Sequence, residues 1–254
     1  MSAATDDILV AERISKTFGR FSAVSDVSLR VRRGTIHSLI GPNGAGKTTC
    51  FNLLTKFLRP TSGRIYYKGR DITALRPSRV AELGMVRSFQ ISAVFPDLSV
   101  LENVRVAVQR QHRGNSFDFW RSDSLLRRYD ARAHELIELV GLGTFVNWRA
   151  GKLAYGHKRN LELATTLALE PEFLLLDEPM AGMGPEDVDR TAELIKTIAA
   201  NRTVLMVEHN LSVVARLSDV ITVLARGQVL AEGSYEEVSQ DPAVIEAYIG
   251  TGHD

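Results

Sequence analysis

Hydrophobic and polar residues in the first 88 positions follow the pattern of short strands separated by turns and helices. Alternating runs and short apolar runs predict strands at residues 8–13, 27–31, 35–40, 64–68 and 85–88. Gly19 marks the turn between the first two strands. Helical spacing predicts one helix from near Gly46 to the residue before Pro60, where proline ends it, and a second helix over 77–83.

The pattern changes in the middle of the chain and changes back after Gly156. Residues 101–111 and 129–140 carry apolar residues at helical spacing, whereas 113–124 has no clear period and predicts a loop or a frayed helix. The later predicted elements are strands at 173–176, 203–207, 220–225 and 228–232, and helices at 185–199, 210–217 and 242–249. This order predicts one α/β unit with two lobes: a core of about 1–90 and 157–254, and a helical subdomain of about 91–156.

The loop after the third predicted strand carries the first candidate chemistry. It has the spacing G-x-x-x-x-G-K-[ST] between an apolar strand and a helix, which is the context of a phosphate-binding loop. Its residues are Gly41, Pro42, Asn43, Gly44, Ala45, Gly46, Lys47, Thr48 and Thr49. Glycines let backbone N–H groups and a helix N-terminus face phosphate oxygens. Lys47 is placed to reach the β and γ phosphates, and the Thr48 hydroxyl to ligate Mg²⁺. The alternative is a glycine-rich turn at an ordinary helix start.

A second group of candidates follows other predicted core strands. Asp177 and Glu178 end the apolar run that begins at residue 173. Because ligands bind at the carboxyl ends of strands in an open α/β sheet, Asp177 is predicted to hold Mg²⁺ and Glu178 to activate the attacking water. His209 and Gln90 also follow core strands, and each gains weight from that position. The alternatives are a helix start for the two acids and a structural role for the histidine.

Together these residues resemble the ATP-binding subunit of ABC transporters over nearly the whole chain. In that resemblance residues 41–49 are the Walker A loop, Gln90 the Q-loop, 173–178 the Walker B strand and His209 the switch histidine. Residues 153–159 look like the signature segment, and Phe18 matches the aromatic residue that stacks on adenine. The resemblance implies an α/β fold with a P-loop NTPase (RecA-like) core, a small antiparallel β portion and an inserted helical subdomain. It also implies ATP and Mg²⁺ as ligands, with Gln90 at the metal as well.

The same resemblance implies how the protein assembles. Each signature segment completes the ATP site of the opposite protomer, so Ala154, Gly156 and His157 are expected to contact the nucleotide across the dimer. The dimer is ATP-dependent, either a homodimer or a heterodimer with a paralogous ATPase. The other partners are transmembrane permease subunits and, for an importer, a periplasmic or extracellular substrate-binding protein. This places the chain peripherally on the cytoplasmic side of the inner membrane.

Finer features look like branched-chain amino-acid importers. They are the segments 86–90, 101–104, 153–156, 181–183 and 241–250, and a longer stretch at 110–128. Similar relatives serve urea and short amides or lipopolysaccharide export, so the cargo stays open. By resemblance Phe95, Leu98 and Leu101 line the permease-binding surface, and the alternative is that they belong to the core.

Three residues depart from the family pattern. Ala154 replaces the signature serine, which shifts the expected phosphate contact to backbone N–H groups at Gly156. His157 stands where glutamine is usual and would add a pH-sensitive charge near the nucleotide. Gly184 replaces the aspartate or asparagine of the D-loop, which puts in doubt a hydrogen bond that couples the two ATP sites.

Composition and charge remove several other classes of function. The chain of 254 residues has 31 Lys and Arg against 30 Asp and Glu, so no basic field predicts a nucleic-acid partner. A single cysteine, Cys50, allows no internal disulfide. The acidic, polar first residues are unlike a secretory signal, and no apolar run approaches the roughly 18 residues of a membrane-spanning helix.

Two rival functions keep the same ATP-binding residues. One is a soluble ABC ATPase: the DNA-repair type needs a long coiled coil in the helical lobe, and the translation type usually carries two cassettes in one chain. A chain of 254 residues with nearly balanced charge fits neither type. A non-hydrolysing regulatory domain is opposed by the intact Lys47, Asp177, Glu178 and His209.

Overall fold

The computed structural model describes residues 6–88, 94–111 and 129–249. Gln90 and the segment predicted as a loop or frayed helix, 113–124, lie outside these residues. The chain divides into two compact units. The first unit combines Met1–Arg87, Glu172–Pro179 and Ile195–Asp254, and the second combines Ser88–Pro171 and Met180–Leu194.

Ten strands are found in the described residues. They are β1 (Asp7–Phe18), β2 (Phe21–Arg32), β3 (Ile36–Ile40), β4 (Ser62–Tyr67), β5 (Arg70–Asp71), β6 (Met85–Arg87), β7 (Phe173–Asp177), β8 (Thr203–Val207), β9 (Val220–Ala225) and β10 (Gln228–Gly233). Four of them form a sheet in the order β2-β1-β4-β5, and the other six form a sheet in the order β10-β9-β3-β8-β7-β6. The first sheet is antiparallel, and in the second only β10 runs against its neighbour.

Nine α-helices lie among the described residues. They are α1 (Lys47–Leu54), α2 (Pro77–Glu82), α3 (Val100–Gln111), α4 (Asp130–Leu139), α5 (Tyr155–Leu167), α6 (Pro185–Ala199), α7 (Leu211–Leu217), α8 (Tyr235–Gln240) and α9 (Pro242–Ile249). The predicted α/β core, with its small antiparallel sheet and helical insertion, is confirmed.

The helix after the phosphate loop is shorter than predicted. It ends at Leu54 and does not continue to Pro60, because Lys56 adopts a left-handed backbone conformation with φ 67°. The Lys56 N–H then donates to the Leu53 carbonyl, which closes the last turn tightly. Proline was therefore not the residue that ended this helix.

The second unit extends beyond the predicted limit near residue 156. Helix α5 was not predicted, and it packs against α3 and α4, so this unit runs on to Pro171. The helix presents Leu161, Ala164 and Leu167 on its buried side, a spacing that its polar first turn obscures. Helix α8 was also missed, although a capping box formed by Ser234 and Glu237 marks its start.

The main core of the first unit lies between the two sheets and around α1. Its largest fully buried side chains include Phe51, Tyr67 and Phe173, and the rings of the last two are stacked 6.2 Å apart. Cys50 is buried here, and burial raises the pKa of its thiol to about 12. Among the described residues, no helix combines the length and the apolar character needed to cross a membrane.

Candidate functional site

Three neighbouring parallel strands of the larger sheet end at the same level. Register pairs Leu39 of β3 with Val207 of β8, and Val207 with Asp177 of β7. The segments that leave these strands are the glycine-rich loop after Ile40, the pair Asp177 and Glu178, and the turn with His209. Strand pairing therefore brings together candidates that are far apart in sequence, at the edge where an open α/β sheet binds ligands.

The glycine-rich loop has a backbone that only glycine accommodates at two points. Gly41 has φ 148° and Gly46 has φ 95°, and a Cβ on Gly41 would collide with the Leu224 carbonyl. A Cβ on Gly46 would stand 2.5 Å from the Ala23 carbonyl oxygen. Gly46 is also the N-cap of α1, so the first N–H groups of this helix face the loop.

The other loop residues divide into exposed and packed ones. Asn43, Gly44 and Thr48 are exposed, Pro42 and Thr49 are half-buried, and Ala45 is buried. The Ala45 carbonyl accepts a hydrogen bond of 2.9 Å from the Gly227 N–H, which fixes the loop to the β9–β10 turn.

Lys47 is the cation of the loop and begins α1. Its ammonium group donates to the Gly41 carbonyl at 2.7 Å and to the Pro42 carbonyl at 3.0 Å, and the residue is buried. Burial lowers the pKa of Lys47 below its ordinary value, and the negative charge of Glu178 partly offsets this shift. The ammonium is thus positioned by neutral acceptors at the floor of the loop.

The end of β7 delivers two carboxylates in different settings. Asp177 is buried, with a side chain only 2% exposed, and its Oδ2 accepts a 2.5 Å hydrogen bond from Nη2 of Arg87. Glu178 is half-buried and has φ 47°, a conformation that is costly for a residue with a side chain. Its N–H donates to the Val207 carbonyl at 2.9 Å, which holds the strained turn in place.

His209 lies in the turn after β8, and the buried carboxylate of Glu208 holds the backbone of this turn. Glu208 is 1% exposed, and its Oε2 accepts hydrogen bonds from the backbone N–H groups of His209, at 3.0 Å, and Asn210, at 3.3 Å. The His209 side chain is exposed, so it projects from this turn. Asn210 then caps α7 through its side chain. Sequence reasoning missed Glu208, although a carboxylate directly after an apolar strand was a usable signal.

The aromatic candidate lies at the end of the small antiparallel sheet. Phe18 is the last residue of β1, pairs with Phe21 across the turn and is 48% exposed. The Lys16 ammonium lies 5.3 Å from the centre of its ring. An exposed ring of this kind offers a face on which a nucleotide base can stack.

The signature candidates form the start of α5 in the second unit. Ala154 is the N-cap, and its side chain makes no capping hydrogen bond. The N–H groups of the first turn, including that of Gly156, therefore receive no hydrogen bond from the N-cap side chain. The His157 ring packs against Phe145 at 4.4 Å between centroids. The Tyr155 ring lies against Gly182, where a Cβ would stand 3.3 Å from it.

Gly184 occupies open space in the same unit. Its backbone is outside the left-handed region, and an added Cβ would meet no atom within 4 Å. Its carbonyl accepts from the Val188 N–H at 3.0 Å, so Gly184 is the N-cap of α6.

Comparison with known proteins agrees with this geometry. The family described as "ABC transporter" matches residues 24–181, and the family "Branched-chain amino acid ATP-binding cassette transporter" matches 228–254. The chain is 40% identical to the high-affinity branched-chain amino acid transport ATP-binding protein LivG of Salmonella typhimurium over 96% of this chain and 98% of the relative. It is 39% identical to BraF of Pseudomonas aeruginosa over the same shares.

Solved structures give the same result. A nucleotide-free ATP-binding cassette from an ABC transporter superposes with a TM-score of 0.82 at 30% identity, covering 96% of this chain and 99% of that chain. The ADP conformation of an ATP-binding cassette superposes with a TM-score of 0.83 at 31% identity, with the same coverage. The chain therefore belongs to the ABC transporter family, as an ATP-binding cassette that binds and hydrolyses ATP.

Proposed function

We propose that this chain energises the import of branched-chain amino acids and works on the cytoplasmic side of the inner membrane. The supporting observation is the similarity to LivG and BraF, whose names state this transport, over 96% of the chain. Urea or amide uptake and lipopolysaccharide export are the alternatives.

Lys47 and the loop bind the phosphates of ATP in this proposal. The Lys47 ammonium exchanges the neutral carbonyls of Gly41 and Pro42 for charged phosphate oxygens, and charge-assisted hydrogen bonds are the stronger kind. The N-terminus of α1 adds backbone donors, and Phe18 stacks on the adenine. The loop needs little rearrangement to do so, because its glycines already hold the curved backbone.

Glu178 is the proposed water activator. A carboxylate at this position takes or orients the proton of the attacking water, and the Val207 hydrogen bond fixes the backbone from which it projects. His209, on the adjacent strand end, and Gln90 are proposed to respond to the γ-phosphate.

The residues present fit magnesium. Asp177 supplies a carboxylate and Thr48 a hydroxyl, and Mg²⁺ in nucleotide sites is held by one or two carboxylates with phosphates and water completing the shell. Within the described ranges, no group of three or more His, Cys, Asp or Glu residues could hold a metal ion. When bound, the ion would supply positive charge that offsets the negative charge of the phosphate groups during hydrolysis. Gln90 is the third proposed ligand.

The signature segment is proposed to act on the ATP of a second protomer. Ala154 leaves the first-turn N–H groups of α5 without a side-chain cap, and such groups bind anions. Gly156 lies within this turn. His157, packed on Phe145, is proposed to support the segment, with its backbone facing the phosphate.

Phe95 is the proposed anchor for a permease subunit. The residue is 54% exposed, while its backbone is held by Asn103, whose Oδ1 accepts a hydrogen bond from the Phe95 N–H at 2.7 Å. Leu98 and Leu101 are half-buried. An exposed aromatic ring on a fixed backbone is typical of an interface anchor.

The structure also guides the choice of variant at this surface. Glu102 forms a capping box with Ser99, whose N–H donates to it at 2.7 Å, so charge reversal there would destabilise α3. Phe95→Ala is therefore the informative change, and Leu139→Ala is its control, because Leu139 is also an exposed apolar residue of this unit.

The deciding experiment purifies the tagged chain with its membrane partners, reconstitutes the complex in liposomes and measures ATP-driven uptake of labelled leucine, urea and acetamide. Leucine uptake that Glu178→Gln abolishes is expected, and Glu178→Gln should form an ATP-dependent dimer by size exclusion. Phe95→Ala should lower uptake and co-purification more than basal ATPase activity, unlike Leu139→Ala. Uptake of urea or acetamide alone would refute the substrate class, and loss of all activities in parallel would refute the docking role of Phe95.

A further inference from the structure

Arg87 is a half-buried arginine that joins three elements of the first unit. It is the last residue of β6, with a side chain 13% exposed. Nη2 donates to Asp177 Oδ2 at 2.5 Å, and Nη1 donates to Asn52 Oδ1 at 2.5 Å. One planar guanidinium therefore links the carboxylate at the end of β7 to the helix that begins at Lys47.

The guanidinium is held in place by aromatic rings as well as by hydrogen bonds. Its central carbon lies 4.9 Å from the Phe51 ring centre and 5.1 Å from that of Phe57. Arginine suits such a site because its flat fork stacks on rings while it donates in fixed directions. A lysine has a point charge and cannot make both directed bonds with the same geometry.

This arrangement fixes the orientation of Asp177. A buried carboxylate is costly unless it is paired and hydrogen-bonded, and groups that orient a metal-binding carboxylate commonly control metal affinity. The same guanidinium is tied to α1, which also carries Thr48. Movement of either proposed magnesium-binding residue is thus restrained by one side chain.

We propose that Arg87 is a positioning residue for the magnesium-dependent reaction, which holds the Asp177 carboxylate in register with the helix of the phosphate loop. The inference rests on the proposed ATP hydrolysis with Mg²⁺. It assigns a role to a residue at the end of β6, three positions before Gln90 in the sequence.

The test compares Arg87→Met and Arg87→Lys with wild type. The readouts are the Mg²⁺ concentration for half-maximal ATPase activity, the affinity for a fluorescent ATP analogue in EDTA, and the melting temperature. Loss of a residue that orients a metal ligand typically costs about 10- to 100-fold in metal affinity or activity. We expect the half-maximal Mg²⁺ concentration to rise by about this factor in Arg87→Met and less in Arg87→Lys, while metal-free nucleotide affinity changes by less than about two-fold.

Two controls separate positioning from general stability. Arg79→Met removes an exposed arginine that pairs with Glu82 in the same unit, and it should leave the Mg²⁺ dependence unchanged. Asn52→Ala removes only the second anchor of the guanidinium, and it should raise the half-maximal Mg²⁺ concentration less than Arg87→Met does.

The outcomes distinguish this inference from the function on which it rests. A wild-type protein without Mg²⁺-dependent ATPase activity would contradict the proposed function itself. A lower melting temperature in Arg87→Met with an unchanged Mg²⁺ dependence would overturn the positioning role and leave Arg87 as a structural ion pair. A shifted Mg²⁺ dependence with preserved metal-free nucleotide binding would support it.

Discussion

His37 should make the nucleotide-free protein sensitive to mild acid. It lies in the central strand β3 and is 1% exposed, and its Nε2 is 2.8 Å from Thr222 Oγ1. The Thr222 hydroxyl in turn donates to Glu232 Oε2 at 2.6 Å, so it accepts from a neutral Nε2–H. Burial lowers the pKa of His37 from 6.5 to about 4. In the folded state, protonation of His37 therefore places a charge in a buried site, which costs free energy.

The sign and size follow from linkage. Between pH 6.5 and about 4 the unfolded chain binds a proton that the folded protein does not, so the free energy of unfolding falls as pH falls through this window. A shift of this size corresponds to about 3 kcal/mol in total, of which about 2 kcal/mol is lost by pH 5. Above pH 7 His37 is neutral in both the folded and the unfolded protein, so it no longer changes the free energy of unfolding.

The perturbation that isolates this effect is His37→Gln, which keeps a donor for Thr222 and removes the titrating group. Urea unfolding from pH 7.5 to 4.5 should show wild type losing about 2 kcal/mol more than the variant by pH 5. His134→Gln, which removes an exposed histidine of α4, should follow wild type. Equal losses in wild type and His37→Gln would refute the reasoning, because acid-sensitive carboxylates contribute to both proteins alike.

Four further changes have defined outcomes. Lys47→Ala should abolish ATP binding or nearly so without loss of the fold, because it removes the cation of the phosphate loop; unchanged affinity by titration would contradict that role. Ala154→Ser restores an N-cap on α5 and should add about 1 kcal/mol of stability in urea unfolding, whereas a lower midpoint would mean that no cap bond forms. Gly184→Asp should raise the Hill slope of ATPase activity against ATP concentration, because it restores a side chain for the hydrogen bond expected to couple the two ATP sites. Thermal stability should not fall, because the position is open and caps α6. An unchanged slope in an equally stable variant would make Gly184 neutral. Lys56 has a buried ammonium with no hydrogen bond to any described residue, and burial lowers its pKa to about 8. Lys56→Met should therefore stabilise the protein at pH 7, with a gain that shrinks as pH rises from 8 to 10.5, and a pH-independent gain in thermal melts would argue against burial of the charge.

Elements with a strong local pattern were predictable from the sequence. The phosphate loop is one, because its glycines and lysine have to follow a strand and open a helix within eight residues. The hairpin of β9 and β10 is another, because the dipeptide Arg226-Gly227 separates two strand-like runs. In the structure both residues of this dipeptide adopt the positive φ that a tight hairpin turn requires. The apolar run that ends at Asp177 likewise placed two carboxylates at a strand end.

Features that depend on contacts distant in sequence were not predictable. Helix α5 was missed because its first turn is polar and its apolar face is defined by α3 and α4. The end of α1 was misplaced because a left-handed lysine, and not the proline, closes it. The contact of His157 with Phe145 likewise depends on how the turns before α5 pack.

The sequence by itself determined which residues are candidates for the chemistry, because short-range spacing encodes a glycine-rich loop before a helix, a strand with terminal carboxylates and a histidine after a strand. Only the tertiary structure decided that β8 lies between β3 and β7, so that all three groups emerge at one edge. It alone paired Arg87 with Asp177, 90 positions apart. The physical reason is that periodicity reports which face of an element is buried, whereas the partner that buries it is chosen by packing over the whole chain.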